Sequence, residues 1–229
     1  MAGMEAEAIT TISPGLLIFD CDGVLIDSEH LAVRADVACL AEDGIEVSEA
    51  EILERYVGVS VKEMAEDLAR RFGRQLADDF AARHHRRVSA IFEAELKAMA
   101  GIEPVLDALS GRRCVASSST PARLSHALGL VGLYDRFAPH IFSAVQVERG
   151  KPAPDLFLYA AARMGVEPAN CVVVEDSLAG VEAAVAAGMT AIGFTGGSHC
   201  RPGHAARLTE RGAADVVPDM TQLLARLAG

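Results

Sequence analysis

The chain has 229 residues, 51% of them hydrophobic and 23% charged, which suits one large domain or a core domain carrying a smaller one. Its formal net charge of −11 argues against a nucleic-acid surface, because phosphate backbones are held by clustered cations, although a local basic patch can still capture a small anion. No apolar run approaches the length that crosses a bilayer, and Met1 to Gly15 is acidic without the basic and apolar segments of a secretory signal, so the cytoplasm is the expected location.

From Leu16 the chain alternates short β-rich runs with helical stretches. Leu16 to Asp20 is an apolar strand without polar alternation, as expected where both faces of a parallel sheet are covered. Between about Leu31 and Met99 no strand is evident, only helical periodicity broken by Gly44, Gly58 and Gly73. Val61 to Phe72 in that stretch has an apolar face of Val61, Met64, Ala65 and Leu68 opposite a charged one. Gly101 to Pro104 starts a return helix, and apolar runs come next at Arg113–Ser118, His140–Ala144, Cys171–Glu175, Thr190–Phe194 and Ala214–Val217. Pro154 and Asp155 open a helix that stops at Gly165, and Ser177 is the N-cap of another ending at Gly188. This rhythm predicts a doubly wound, mostly parallel Rossmann-like α/β sheet with an inserted α-helical domain. The expected division is a core of residues 1–30 and 99–229 and a helical insertion of residues 31–98, hinged near Ser28–His30 and Ala98–Gly101. Cys21, Cys39, Cys114, Cys171 and Cys200 are odd in number and lack close-paired spacing, which points to free thiols in a reducing compartment.

Four stretches carry chemistry. Asp20-Cys-Asp22-Gly23 comes directly after the first strand, so its carboxylates emerge at the carboxyl end of the sheet, where open α/β folds bind ligands. One acid can act as nucleophile and metal ligand while the other donates and accepts a proton. Ala116 to Thr120 ends the second core strand, where a hydroxyl and backbone N–H groups of Ser117 and Ser118 can bind phosphate oxygens. Gly150-Lys151-Pro152-Ala153-Pro154-Asp155 holds one lysine beside two prolines, a rigid placement suited to neutralising a phosphoryl group and a nearby carboxylate. Cys171 to Asp176 is an apolar strand ending in Glu175 and Asp176, the donor type a hard cation such as Mg²⁺ takes. Each alone also reads as an ordinary turn, cap or stiff loop; together, in this order and at corresponding strand ends, they define a site.

Motif by motif these stretches resemble the haloacid dehalogenase-like hydrolase superfamily, in particular the branch with a helical cap inserted after the first strand, and the resemblance runs from about Leu16 to Pro218. Its most specific parts are Phe19 to Glu29 and Gly150 to Asp155. The resemblance implies a Mg²⁺-dependent phosphatase of small phosphorylated metabolites. Asp20 would form an aspartyl-phosphate; Asp22 would protonate the leaving oxygen and then activate water, its backbone carbonyl touching Mg²⁺. Ser117, backbone N–H groups beside it such as those of Ser118, and Lys151 would hold the phosphoryl oxygens. Asp20, Asp176 and Glu175 would complete the metal site. Dehalogenases of the superfamily need no Mg²⁺ and generally lack the second aspartate, which is present here. Phosphomutases similar to β-phosphoglucomutase share all four motifs but carry a histidine where this chain has Ala32, His30 being two residues early, and a cap arginine where it has Val61-Lys62. A non-catalytic phosphometabolite sensor is the third reading.

In related caps the loop at Arg55–Lys62 faces the core site, which makes Arg55, Gly58, Ser60 and Lys62 the candidate specificity residues for a sugar, polyol or sugar-acid phosphate. Arg83-His-His-Arg-Arg87 reads as a solvated helix face, and His199, Cys200 and His204 lack the fourth ligand of a zinc site, their loop bordering the substrate entrance instead. The expected partner is a small phosphorylated metabolite, with no nucleic acid or membrane, on a monomer or weak homodimer.

Overall fold

The structure, a computed structural model, describes residues 12–56 and 61–227, without the side chains of residues 61 and 62. Strand β1 (Leu16–Phe19) leads to helices α1 (Glu29–Glu42), α2 (Glu49–Arg55), α3 (Val61–Phe72) and α4 (Phe80–Glu95). Helix α5 (Ile102–Ala108) then leads into β2 (Arg113–Ser117), α6 (Pro121–Leu130), α7 (Tyr134–Phe137), β3 (Ile141–Ser143) and α8 (Asp155–Met164). The chain closes with β4 (Cys171–Glu175), α9 (Leu178–Ala186), β5 (Thr190–Phe194), α10 (His204–Glu210), β6 (Asp215–Val217) and α11 (Met220–Leu227).

The six strands form one sheet in the order β3-β2-β1-β4-β5-β6, and every pairing is parallel. Winding runs outward from β1 to β3 and resumes at β4 on the other side of β1, so the topological switch point lies beside the carboxyl end of β1. The loops leaving β1, β2 and β4 are thereby gathered at one place.

Side-chain alternation explains why these strands are apolar throughout. Leu17 and Phe19 of β1 join Val115, Val172, Val174, Ile192 and Phe194 in a core on one face, under α5, α6 and α11. Leu16 and Ile18 join Cys114, Ala116, Val173 and Ala191 on the other face, under α8 and α9. The helices between β1 and α5 carry a third cluster of their own, built from Val33, Leu40, Ile45, Ile52, Met64, Leu68 and Phe80. The two chain crossings to these helices run side by side: Ile26 bridges Ala98, Met99 N–H donates to Leu25 O at 2.9 Å, and Asp27 N–H donates to Lys97 O at 3.1 Å.

The predicted α3 and the strands at 171–175 and 190–194 coincide with the observed elements. The β3 strand is shorter than expected, because Ser143 closes it: its hydroxyl accepts from Val145 N–H while Gln146 accepts from Ser143 N–H, turning residues 144–146 into a 3₁₀ helix. Four cysteines are buried, Cys200 is half-buried, and all five are free thiols. Among the described residues no helix is long and apolar enough to cross a membrane.

Candidate active site

The site begins where β1 stops. Asp20 N–H still donates to Val174 O at 3.0 Å, which keeps its backbone in line with β4, but the chain then turns away and leaves the side chain at the sheet edge. Gly23 makes that turn at φ +78°; a Cβ there would lie 1.9 Å from Asp176 Oδ2, so a side chain is barred both by conformation and by space.

Lys151 joins the strand ends. Its Nζ donates to Asp20 Oδ1 at 2.6 Å, to Glu175 Oε1 at 2.5 Å and to Ala116 O at 3.1 Å, with only 4% of the side chain exposed. The other Glu175 oxygen accepts from the backbone N–H and the hydroxyl of Ser177, both at 2.9 Å. Ser177 in turn caps α9 through Gly180 N–H at 3.0 Å. Gly180 is needed here because a Cβ would sit 1.9 Å from Glu175 Cδ and Oε1.

Asp20, Glu175 and Asp176 are all buried and offer oxygens within 4.8 Å of one another. Burial pushes the Asp20 carboxyl well above its ordinary range; Lys151 opposes this, while Glu175, Asp176 and Asp22 reinforce it. Burial and then Glu175 do the same to Asp176. Lys151 moves upward despite its own burial, because Asp20 and Glu175 outweigh it. One ammonium thus faces an excess of sealed negative charge, and Asp176 Oδ2 is buried with no hydrogen-bond partner. Three convergent carboxylates, one with an unpartnered oxygen, fit a small divalent cation with oxygen ligands.

Asp22 is held differently. Ser28 Oγ donates to its Oδ1 at 2.7 Å, Ser119 Oγ to its Oδ2 at 2.8 Å, and Arg123 Nη2 to its Oδ1 at 3.0 Å. Burial alone would raise this carboxyl, but the Arg123 charge and the two hydroxyls prevail and hold it below the ordinary range. Ser117 is buried, and its Oγ accepts from Ser119 N–H at 3.1 Å; Ser118 is exposed on the pocket wall. Ser143 Oγ donates to Ser119 O at 2.6 Å and braces the loop from β3.

These groups line a cavity of about 430 Å³ whose opposite wall comes from α1, α3 and α4 and from Tyr56. Tyr56 is buried; its hydroxyl donates to Asp67 at 2.6 Å and accepts from Arg71 at 2.8 Å. Arg55 is exposed near Glu51 and is not among the lining residues; Gly58 and Ser60, and the side chain of Lys62, lie outside the described residues. The reading of Arg83–Arg87 as a solvated face needs correction. His84 is buried, lines the cavity and meets Asp36 at 2.8 Å, while Arg83 pairs with Glu42, Asp43 and Asp79. Only His85 and Arg86 are exposed, because α4 packs on α1 along the other side.

Sequence reasoning missed Arg123, Ser119, Glu29 and His84. Arg123 had one local signal, a cation in the first turn of the helix after the serine loop. His84 had none, since its partner Asp36 lies on another helix. His199 Nε2 lies 3.0 Å from Asp176 Oδ2, off the line of a hydrogen bond, and His204 Nε2 donates to Asp176 O at 2.6 Å. The loop containing them therefore borders the carboxylate cluster. Among the described residues, the only three-ligand convergence is that of Asp20, Glu175 and Asp176.

Residues 15–188 match the family model described as haloacid dehalogenase-like hydrolase. The 6-phosphogluconate phosphatase of Escherichia coli K12 is 34% identical over 187 residues, covering 81% of this chain and 85% of that protein. Hexitol phosphatase B of the same organism is 32% identical over 181 residues, covering 76% and 81%. A haloacid dehalogenase-like protein of Agrobacterium tumefaciens C58 superposes with a TM-score of 0.83 at 41% identity, over 93% of this chain and 97% of that one. With its strand-end carboxylates, lysine and parallel sheet in the arrangement described, the chain belongs to the haloacid dehalogenase-like hydrolases, and both of these named relatives are phosphatases.

Proposed function

We propose that the chain is a Mg²⁺-dependent phosphatase of small phosphorylated sugars, polyols or sugar acids that works through an aspartyl-phosphate on Asp20. The observation carrying this is the convergence of Asp20, Glu175 and Asp176 on Lys151, directly beside an Asp22 held by its own donors. Relatives acting on 6-phosphogluconate, hexitol phosphates and fructose 1-phosphate support the substrate class.

Lys151 occupies Asp20 Oδ1, which leaves the other oxygen to attack phosphorus in line as the bond to the leaving oxygen breaks. Asp22, which Arg123, Ser28 and Ser119 by themselves hold ionised, takes up a proton as the phosphate dianion enters beside it and delivers that proton to the leaving oxygen. It then takes one from the water that attacks the aspartyl-phosphate, and the phosphorus–oxygen bond to Asp20 breaks to free inorganic phosphate. Ser117, the backbone around Ser118, and Lys151 hold the phosphoryl oxygens. Asp20, Glu175, Asp176 and the Asp22 carbonyl would hold Mg²⁺, which when bound screens the two anions and stabilises charge on the transferring group. We read residues 31–98 as a cap that closes over the cavity and excludes water.

Two positions weigh against the mutase reading. Ala32 lines the cavity where such mutases carry histidine, whereas His30 meets Ser198 Oγ at 2.8 Å and lines a separate cleft. The test is phosphate release from a panel of sugar, polyol and sugar-acid phosphates with Mg²⁺, using Asp20→Asn as the blank. Release that is abolished in the variant is the expected result; equal release by both proteins rejects the nucleophile.

A further inference from the structure

We propose that Arg123 is a specificity-determining residue that recognises a carboxylate on the leaving group, so that the enzyme favours phosphorylated sugar acids over the matching polyol phosphates. This rests on the phosphatase reading and narrows its substrate.

Arg123 sits in the first turn of α6, where its backbone N–H is bonded to the Thr120 cap at 3.4 Å and its side chain reaches back toward the end of β1. Nη2 is engaged by Asp22. The Phe92 ring of α4 lies against the guanidinium, 5.1 Å from its carbon to the ring centroid. Nε is buried and has no hydrogen-bond partner. The group is therefore fixed at one end, packed on an aromatic face, and left with a donor that lacks an acceptor. Nε itself is sealed from the cavity, but the side chain is 24% exposed and lines it, so the open part of the guanidinium is the edge that an acceptor on the occupant can meet.

The choice of a carboxylate rests on what else lines the cavity. Among the described lining residues the lysines and arginines are Lys151 and Arg123, and the three contacts of Lys151 are all with protein oxygens of the phosphoryl site. Beyond that site the wall presents Glu29 and Asp36, with His84 already against Asp36. Those oxygens are partners for hydroxyl groups rather than for an anion. Arg123 is thus the cation available to a leaving-group carboxylate, and its planar fork matches that group better than an ammonium would. A sugar acid offers both features, hydroxyls for the acidic wall and a carboxylate for Arg123. Because Arg123 also touches Asp22, the carboxylate it holds lies on the same side as the leaving oxygen that Asp22 serves.

The test uses two pairs matched in carbon number, 6-phosphogluconate with glucitol 6-phosphate and 3-phosphoglycerate with glycerol 3-phosphate. Steady-state phosphate release is measured with the full chain and Mg²⁺. Wild type should favour the acid in at least one pair by about tenfold or more in kcat/KM. In Arg123→Gln that ratio should fall by about tenfold or more, to near parity, chiefly through KM for the acid, as expected for loss of one charge-assisted contact. Arg123→Lys keeps the charge and should retain part of the preference, and it carries the test if the glutamine variant does not fold by circular dichroism. Equal rates within both wild-type pairs, or an unchanged ratio in Arg123→Gln, overturn the proposal and leave the phosphatase reading standing. Absence of release from every phosphate by wild type brings down that reading, and this proposal with it.

Discussion

Replacing Lys151 by methionine tests the electrostatic account of the site. The ammonium sits at 2.6 Å from Asp20 and 2.5 Å from Glu175, and the side chain is 4% exposed, so solvent cannot substitute for it. Methionine retains the apolar stem beside Phe157, which isolates the lost charge from lost packing. Removing one partner of a buried pair costs about 3–5 kcal/mol, because the remaining charge is uncompensated. For a chain of this size that corresponds to a fall in Tm of roughly 6–20 °C. The loss must also depend on pH. In the variant Asp20 and Asp176, already raised by burial, are raised further. The folded state then binds protons that the unfolded state has released, and its stability declines as pH rises above the ordinary carboxylate range. The deficit relative to wild type should accordingly be larger at pH 8 than at pH 5. Thermal melts in EDTA at the two pH values measure it, and added Mg²⁺ should recover part of the stability but not the turnover. A variant within 1 kcal/mol of wild type at both pH values, or equally destabilised at both, would refute the reasoning.

The same geometry has other consequences. EDTA should abolish phosphate release and Mg²⁺ restore it, and Mg²⁺ at 100 times its Kd should stabilise the protein by about 2.7 kcal/mol, seen as a higher Tm; Asp176→Asn should show no such rise, and a metal-insensitive Tm in wild type rules out the site. Gly180→Ala, ordinarily worth about 1 kcal/mol of added helix stability, should instead destabilise the protein and reduce turnover, since the new Cβ displaces Glu175 from Lys151; urea titration with an activity assay decides the sign. Glu29 is pushed up to about 8 by burial first, then by Asp22 and Asp176, against an ordinary value of 4.5. Wild type should therefore lose stability as pH climbs from about 4.5 to about 8, and Glu29→Gln should flatten part of that slope and be the more stable protein above pH 8; parallel profiles of the two would show that Glu29 titrates normally.

Much of the site was legible because its residues are tied to strand ends by sequence alone. An apolar run too short for a helix and ending in acids can be placed at a sheet edge without coordinates, and this places Asp20, Asp22, Glu175 and Asp176. Lys151 stands out because prolines on either side of Ala153 restrict the chain around it. Ser119 is harder to separate from its neighbours. Three consecutive serines look alike in one dimension, and only the turn after β2 decides that Ser117 is buried, Ser118 is exposed on the cavity wall and Ser119 reaches Asp22. The Arg83–His84 segment escapes a one-dimensional reading because helical periodicity reports that one side is covered, not which neighbouring helix covers it.

The sequence by itself determined the parallel α/β core, the long helical stretch after the first strand and the carboxylate–lysine set, since each arises from local hydrophobic patterning and chain stiffness. Tertiary structure alone decided the charge pairings around the site. Arg123 with Asp22, His84 with Asp36 and His199 against Asp176 join residues 101, 48 and 23 positions apart in the numbering, on elements whose relative placement no local pattern encodes. Charge partners at such separations are set by how sheet and helices pack, because electrostatic interaction depends on distance in space and on burial, and neither can be read along the chain.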